Sequence, residues 1–330
     1  MTPAIDVTPP AGLDEFLNEH GWADAGVTLV AADASFRRYF RATANDGRTA
    51  VLMDAPPAHE DPQPFIDIAR YLVEHEFRAP QIYAADTGQG LVLIEDFGDL
   101  QMRQHLDVAP QDADEVYRQA IDTLIRLADA PVAKLPPYNE DAYLREVKLL
   151  SEWYMPAMGL PVDDAGYQAL WRCALKPVSA TQSVTVLRDY HAENIMLLPG
   201  GDQGIIDFQD ALIGHPAYDL VSLLQDARRE VDPALERAML AYYCDATNAD
   251  ADFDLHYALL GAQRNTKIIG IFTRLWKRDG KDRFLGFLPR MWGLLERDLA
   301  HPGLAELKVW FDQNIPAEVR SQSPDGVVVA

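Results

Sequence analysis

Leu187-Arg188-Asp189-Tyr190-His191-Ala192-Glu193-Asn194, then Ile195-Met196-Leu197-Leu198, Pro199-Gly200-Gly201-Asp202, Gly204-Ile205-Ile206 and Asp207-Phe208-Gln209, is the stretch that decides the fold. Asp189 and Asn194 stand five positions apart, the D-x-x-x-x-N spacing of a catalytic loop. Residues 194–198 read as a strand, 199–202 as a turn and 204–206 as the returning strand. Such a hairpin carries Asp207 back beside Asn194, so that an amide and a carboxylate converge on one metal. Phosphoryl transfer asks for this set: a carboxylate to orient and deprotonate the attacking hydroxyl, and hard oxygen ligands to hold Mg²⁺ on the phosphates of ATP. A lone D-x-x-x-x-N is common by chance, and Asp and Asn in turns usually cap backbone. The joint pattern of loop, strand, Gly-rich turn, strand and Asp is far rarer. It gives Asp189 as the base and Asn194 and Asp207 as metal ligands.

Upstream, the pattern is short strands over residues 27–31, 37–43 and 49–54, a helix over 64–76 with Phe65, Ile68, Ala69 and Leu72 at helical spacing, then strands over 82–85 and 91–95. From Gly98 the chain turns helical, with helices expected over 112–130, 141–155, 164–175, 219–230, 233–243, 254–276 and 285–299. The expected organisation is an N-terminal segment (1–24), a nucleotide-binding N-lobe (25–97), a helical C-lobe with the catalytic loop and acceptor site (98–315) and a loosely held tail (316–330).

The 330 residues carry 29 basic and 51 acidic side chains, a formal charge of −22. Such a surface repels polyanions, which makes nucleic acid and anionic membrane poor partners. ATP is an anion too, so a metal and local basic residues must make its site attractive. The two cysteines, Cys173 and Cys244, lie far apart and read as buried thiols of a reducing compartment. No signal peptide and no membrane-length apolar run is seen, so a cytoplasmic location is expected.

The motifs resemble the aminoglycoside phosphotransferase/choline kinase superfamily, a branch of the protein-kinase-like fold. Its D-x-H-x-x-N loop is matched by Asp189–Asn194, and its G-x-P-x-x-D-L segment by Gly214-His215-Pro216-Ala217-Tyr218-Asp219-Leu220. The phrases around Ala32–Phe40, Val51–Pro57 and Asp207–Ala211 are similar to bacterial anomeric N-acetylmuramate/N-acetylglucosamine kinases. The resemblance implies an α+β, bilobal fold with an antiparallel-sheet N-lobe and a mostly helical C-lobe. It also implies ATP and Mg²⁺, an amino-sugar acceptor phosphorylated at its anomeric hydroxyl, and a place in peptidoglycan recycling; no obligatory protein partner follows from it. The rivals are a kinase of an aminoglycoside or amino alcohol, and a nucleotide-binding scaffold without turnover.

One departure matters. Met53 occupies the strand position where such kinases carry a phosphate-binding Lys, and no lysine precedes Lys134. Phosphate contacts are therefore expected from Ser35, backbone amides and Arg37, Arg38 or Arg41. Arg37 and Arg41 share a strand face that Arg38 does not, and either face is open to ATP. Val51, Ile94, Glu95, Asp96 and Phe97 are the expected adenine neighbours. By resemblance His191 and Asp219 brace the catalytic loop; Arg188 stands where many relatives carry Gly or a small residue, and is expected to lower the pKa of Asp189 or to meet a phosphate. Between Arg264 and Arg290 eight basic residues face two acidic ones. A solvated helical face is the default for such a stripe, but an anionic acceptor offers a reason for it. Arg264, Asn265 and Lys267 are accordingly expected at the acceptor, with Gln209 and Asp210 on sugar hydroxyls beside Asp189.

Overall fold

In the computed structural model, residues 8–32 and 36–322 are described. Ser35, the ends of the expected N-terminal segment (1–7) and of the tail (323–330) lie outside them. The chain packs as two compact units, one formed by residues up to Pro110 with Glu193–Ala211, the other by Gln111–Ala192 and Leu212 onward. The hairpin 193–211, expected with the helical C-lobe, packs instead with the first unit. Its backbone is tied there: Leu197 N–H donates to Leu100 O at 2.8 Å and Ile205 N–H to Arg78 O at 2.8 Å.

The first unit is built on an antiparallel sheet of β1 (Gly26–Ala32), β2 (Arg38–Thr43), β3 (Thr49–Asp54), β4 (Ile82–Asp86) and β5 (Leu91–Glu95), in the order β1-β2-β3-β5-β4. Alternation assigns its two faces. Phe40, Ala42, Ala50, Leu52, Leu91 and Leu93 point to one side, where Leu13, Phe16 and Leu17 of the helix Leu13–Glu19 and Trp22 close a core. Tyr39, Arg41, Val51 and Ile94 point to the other and line a cleft.

In the second unit the helix Phe253–Asp279 is the axis against which Glu140–Leu149, Ala217–Leu224 and Leu288–Leu299 pack. A Cβ on Gly270 would stand 2.4 Å from the backbone carbon of Leu149, so glycine there lets two helices meet at backbone contact. The three-residue strands Val184–Val186 and Leu212–Gly214 pair antiparallel. The expected helix 141–155 stops at Leu149 and opens into a wide π turn over Leu150–Tyr154. The tail is held as far as it is described. Arg320 is buried, donates to Ile315 O at 2.7 Å and pairs with Glu296 and Asp312. Cys173 is exposed and Cys244 half-buried, unlike the two buried thiols expected. Among the described residues, no helix is long and apolar enough to cross a membrane.

Candidate active site

The expected catalytic loop is the segment that leaves the strand Val184–Val186, and bonds to its backbone fix its shape. Both oxygens of the buried Asp219 are used: Leu187 N–H donates to Oδ2 at 2.7 Å and Arg188 N–H to Oδ1 at 2.8 Å. Arg188 is thereby held at φ 72°. That left-handed conformation costs an arginine about 1–2 kcal/mol. Tyr190 Oη donates to Ala120 O at 3.0 Å, and Ala192 N–H to Asp226 Oδ2 at 3.3 Å. Burial pushes the Asp219 carboxyl up to about 7, against the two N–H bonds that favour its anion.

Asp189 keeps 42% of its side chain exposed and faces a pocket with His191, Asp226, Arg228, Arg264 and Lys267. Dense protein around the carboxyl raises its pKa, but Lys267, Arg264, His191 and Arg188 together outweigh this and hold it below the usual carboxylate range. It is ionised at neutral pH. Arg264 Nη2 stands 3.8 Å from Asp189 Oδ1 and donates to Ser222 Oγ at 2.8 Å, while the buried Nη1 of Arg264 has no hydrogen-bond partner. Lys267 Nζ lies 2.9 Å from Glu146 Oε1. His191 is buried, with its Nε2 3.3 Å from Arg228 Nη1, and burial lowers its pKa.

Asn265 does not join this pocket. Its amide nitrogen donates to Gln225 Oε1 at 2.7 Å and Asp298 Oδ2 at 2.9 Å, in the buried core. One helical step turns it about 100° from Arg264, whereas Lys267, three residues on, returns to the pocket face. Arg188 pairs with the partly buried Glu146, and its guanidinium lies over the Tyr138 ring. Glu146, unsuspected in the sequence, also accepts bonds from Tyr138 Oη and from Gln263 Nε2, the latter at 3.0 Å.

Asn194 and Asp207, the expected metal ligands, belong to the first unit. The hairpin pairs Ile195 with Ile205 and Leu197 with Gln203, and Ile206 N–H donates to Asn194 O at 3.0 Å. Asn194 Nδ2 then lies 3.3 Å from Asp207 Oδ2, and Gln209 Nε2 holds Asp207 Oδ1 at 2.8 Å. Asp207 has φ 60°, a left-handed position like that of Arg188. Gln209 thus orients the Asp207 carboxylate and Asp210 is exposed; neither lines the pocket around Asp189.

A cleft of about 540 Å³ in the first unit is bounded by Asn194 and Asp207 and walled by Val51, Ile94 and Phe97. Glu95 and Asp96 also line it, so the expected adenine neighbours share one cavity. Gly204 admits the Phe97 ring, which a Cβ would meet at 2.5 Å. Of the candidate arginines, only Arg41 lines this cleft. Its Nε and Nη2 bind Asp96 at 2.7 and 3.0 Å, and Nη2 also reaches Asp99 at 2.9 Å. Arg38 lies on the opposite face, bound through Nη2 to Asp54 at 2.6 Å, and the nearly buried Arg37 precedes β2 without lining the cleft. Five carboxylates (Glu95, Asp96, Asp99, Glu193 and Asp207) face this one arginine. Polyphosphate enters such a wall only with cations. Among the described residues, no three His, Cys, Asp or Glu side chains form a metal cage. Asn194 and Asp207 are hard oxygen donors of the kind that hold Mg²⁺ jointly with phosphates.

The model of the phosphotransferase enzyme family matches residues 26–256. N-acetylmuramate/N-acetylglucosamine kinases of Caulobacter vibrioides and Pseudomonas aeruginosa are 35% and 40% identical, over 92% and 89% of this chain and 96% and 91% of their own. In structure the chain is similar to ADP-bound aminoglycoside phosphotransferase APH(2'')-Ib, with a TM-score of 0.59 at 16% identity, covering 87% of this chain and 97% of that one. Choline kinase LicA of Streptococcus pneumoniae gives 0.58 at 14%, covering 90% and all of its length. Those distant likenesses establish the kinase-like α+β fold, and with the family match and the near relatives they make this chain a member of the phosphotransferase enzyme family.

Proposed function

We propose that the protein transfers the γ-phosphoryl group of ATP to the anomeric hydroxyl of N-acetylmuramate and N-acetylglucosamine, giving the α-1-phosphate. The observation that carries this is the set of four curated relatives bearing that name, at 35–40% identity over 86–96% of their lengths. The pocket chemistry supports it: an arginine and a lysine beside Asp189 suit the lactyl carboxylate of N-acetylmuramate and repel a cationic aminoglycoside.

Asp189 orients the anomeric hydroxyl and takes its proton as the oxygen attacks the γ-phosphorus. The new O–P bond forms as the bond to the β-phosphate oxygen breaks, and ADP departs. A hemiacetal hydroxyl is more acidic than an ordinary alcohol, which eases the demand on a base of lowered pKa. Asn194 and Asp207 are the residues to hold Mg²⁺, which neutralises charge on the phosphates when bound. Asp219, through the Leu187 and Arg188 amides, keeps the base in position, and Val51, Ile94 and Phe97 enclose the adenine. Use of ATP fits a cytoplasmic enzyme, and an α-1-phosphate fits a route from recycled cell-wall sugar towards UDP-N-acetylmuramate.

A panel of free sugars and aminoglycosides, incubated with Mg²⁺-ATP and followed by ³¹P NMR, tests the reading. The expected result is a sugar phosphate signal coupled to the anomeric proton, together with ADP, for both amino sugars. Phosphorylation of an aminoglycoside with neither amino sugar turned over would overturn it.

A further inference from the structure

Four donors converge on Glu146. Arg188 Nη2 and Lys267 Nζ, the latter at 2.9 Å, bind Oε1; Tyr138 Oη and Gln263 Nε2, the latter at 3.0 Å, bind Oε2. The arrangement is built by helix phase. Gln263, Lys267 and Gly270 recur on one face of the long helix, and the Gly270–Leu149 contact brings that face against the helix that carries Glu146. With both oxygens engaged, the carboxylate is fixed in rotation as well as in place.

The two cations it holds flank the proposed base. Arg188 precedes Asp189 in the chain, and Lys267 lines the same pocket. A buried cation deprived of its partner turns to the nearest available anion, and a carboxylate in a tight ion pair neither reaches a substrate hydroxyl nor accepts its proton readily. We infer that Glu146 is a positioning residue for phosphoryl transfer: it occupies Arg188 and Lys267 as counter-ion and so leaves the Asp189 carboxylate open to the acceptor hydroxyl. The inference rests on Asp189 being the base.

Steady-state kinetics of Glu146→Gln, which keeps the side-chain shape and loses the charge, gives the test. Turnover is expected to fall by about tenfold or more, with KM for Mg²⁺-ATP within about twofold of wild type. In a Lys267→Met enzyme one of the two competing cations is gone and only Arg188 remains, so adding Glu146→Gln is expected to cost at least about threefold less in kcat than it does in the wild-type background. Wild-type turnover in Glu146→Gln, or an equal loss in both backgrounds, would overturn the assignment, since a merely structural carboxylate gives the same loss with or without Lys267. If the single variant is too unstable to assay, the Lys267→Met pair decides alone, a loss of about tenfold or more on adding Glu146→Gln overturning the role. Asp189→Asn, measured alongside, separates the two claims. Near-wild-type turnover there removes the base and this inference together, whereas an inactive Asp189→Asn beside a fully active Glu146→Gln removes only the role of Glu146.

Discussion

The two cavities treat charge in opposite ways. The cleft of the first unit is lined by acids at every depth, from Asp96 at 4% exposure to Asp99 at 76%, and the one arginine among its described lining residues is spent on these two. The pocket of the second unit buries its cations. Arg264 and Lys267 retain 6% and 12% of their side-chain surface, and an Arg264 donor is left without a partner. Charge at a wet rim is screened and cheap to rearrange, while charge in a dry pocket is costly and therefore selective. On the proposed function, the first cavity takes the nucleotide together with a metal and the second takes an anionic acceptor.

The sharpest way to break this division is Asp189→Asn. It should lower kcat by about 10²–10⁴ while Mg²⁺-ATP affinity, measured by calorimetry, stays put. A matching loss of nucleotide affinity would mean that the two cavities do not divide the labour.

Next in size is a stability effect confined to the second unit. Burial, helped by neighbouring His256, pushes buried His215 down to about 4 from an ordinary 6.5. Its neutral form is the one the fold holds, so the stabilisation is present above pH 6.5 and is lost as pH falls through 4. Urea unfolding across that window should show a decline of about 3 kcal/mol from this residue, flattened in His215→Asn.

Arg264→Gln should raise KM for N-acetylmuramate by about tenfold and leave N-acetylglucosamine, which lacks the carboxylate, within about twofold. Equal effects on both sugars would remove the anion-recognition reading of the pocket. The smallest effect belongs to the cleft rim: Asp99→Asn removes a repelling charge and releases Arg41, so Mg²⁺-ATP should bind about twofold tighter at low salt and unchanged at high salt.

What the sequence revealed, it revealed through local geometry. Asn194 and Asp207 are brought together by one short hairpin, whose strands, Gly-rich turn and ligand spacing are all contiguous. The antiparallel strands of the first unit were legible for the same reason, and β3 and β5 run over the expected residues. Helix phase against a partner was not legible. Arg264, Asn265 and Lys267 look alike as polar residues of one helix until the positions of Asp298 and Glu146 show which way each turns. Glu146 itself reads as an ordinary surface acid in an amphipathic segment, because its four donors come from positions 138, 188, 263 and 267. Strands of three residues, such as Val184–Val186, carry too little pattern to stand out. The choice between Arg38 and Arg41 needed the sheet to show which face a helix covers.

The bare position at 270 has a consequence beyond packing. Two rods touch there, and one carries an acid while the other carries an ammonium. A single methyl group added at residue 270 would wedge them apart and slacken their grip on each other, and with the inferred role of Glu146 it should detune turnover from a spot that lines neither cavity.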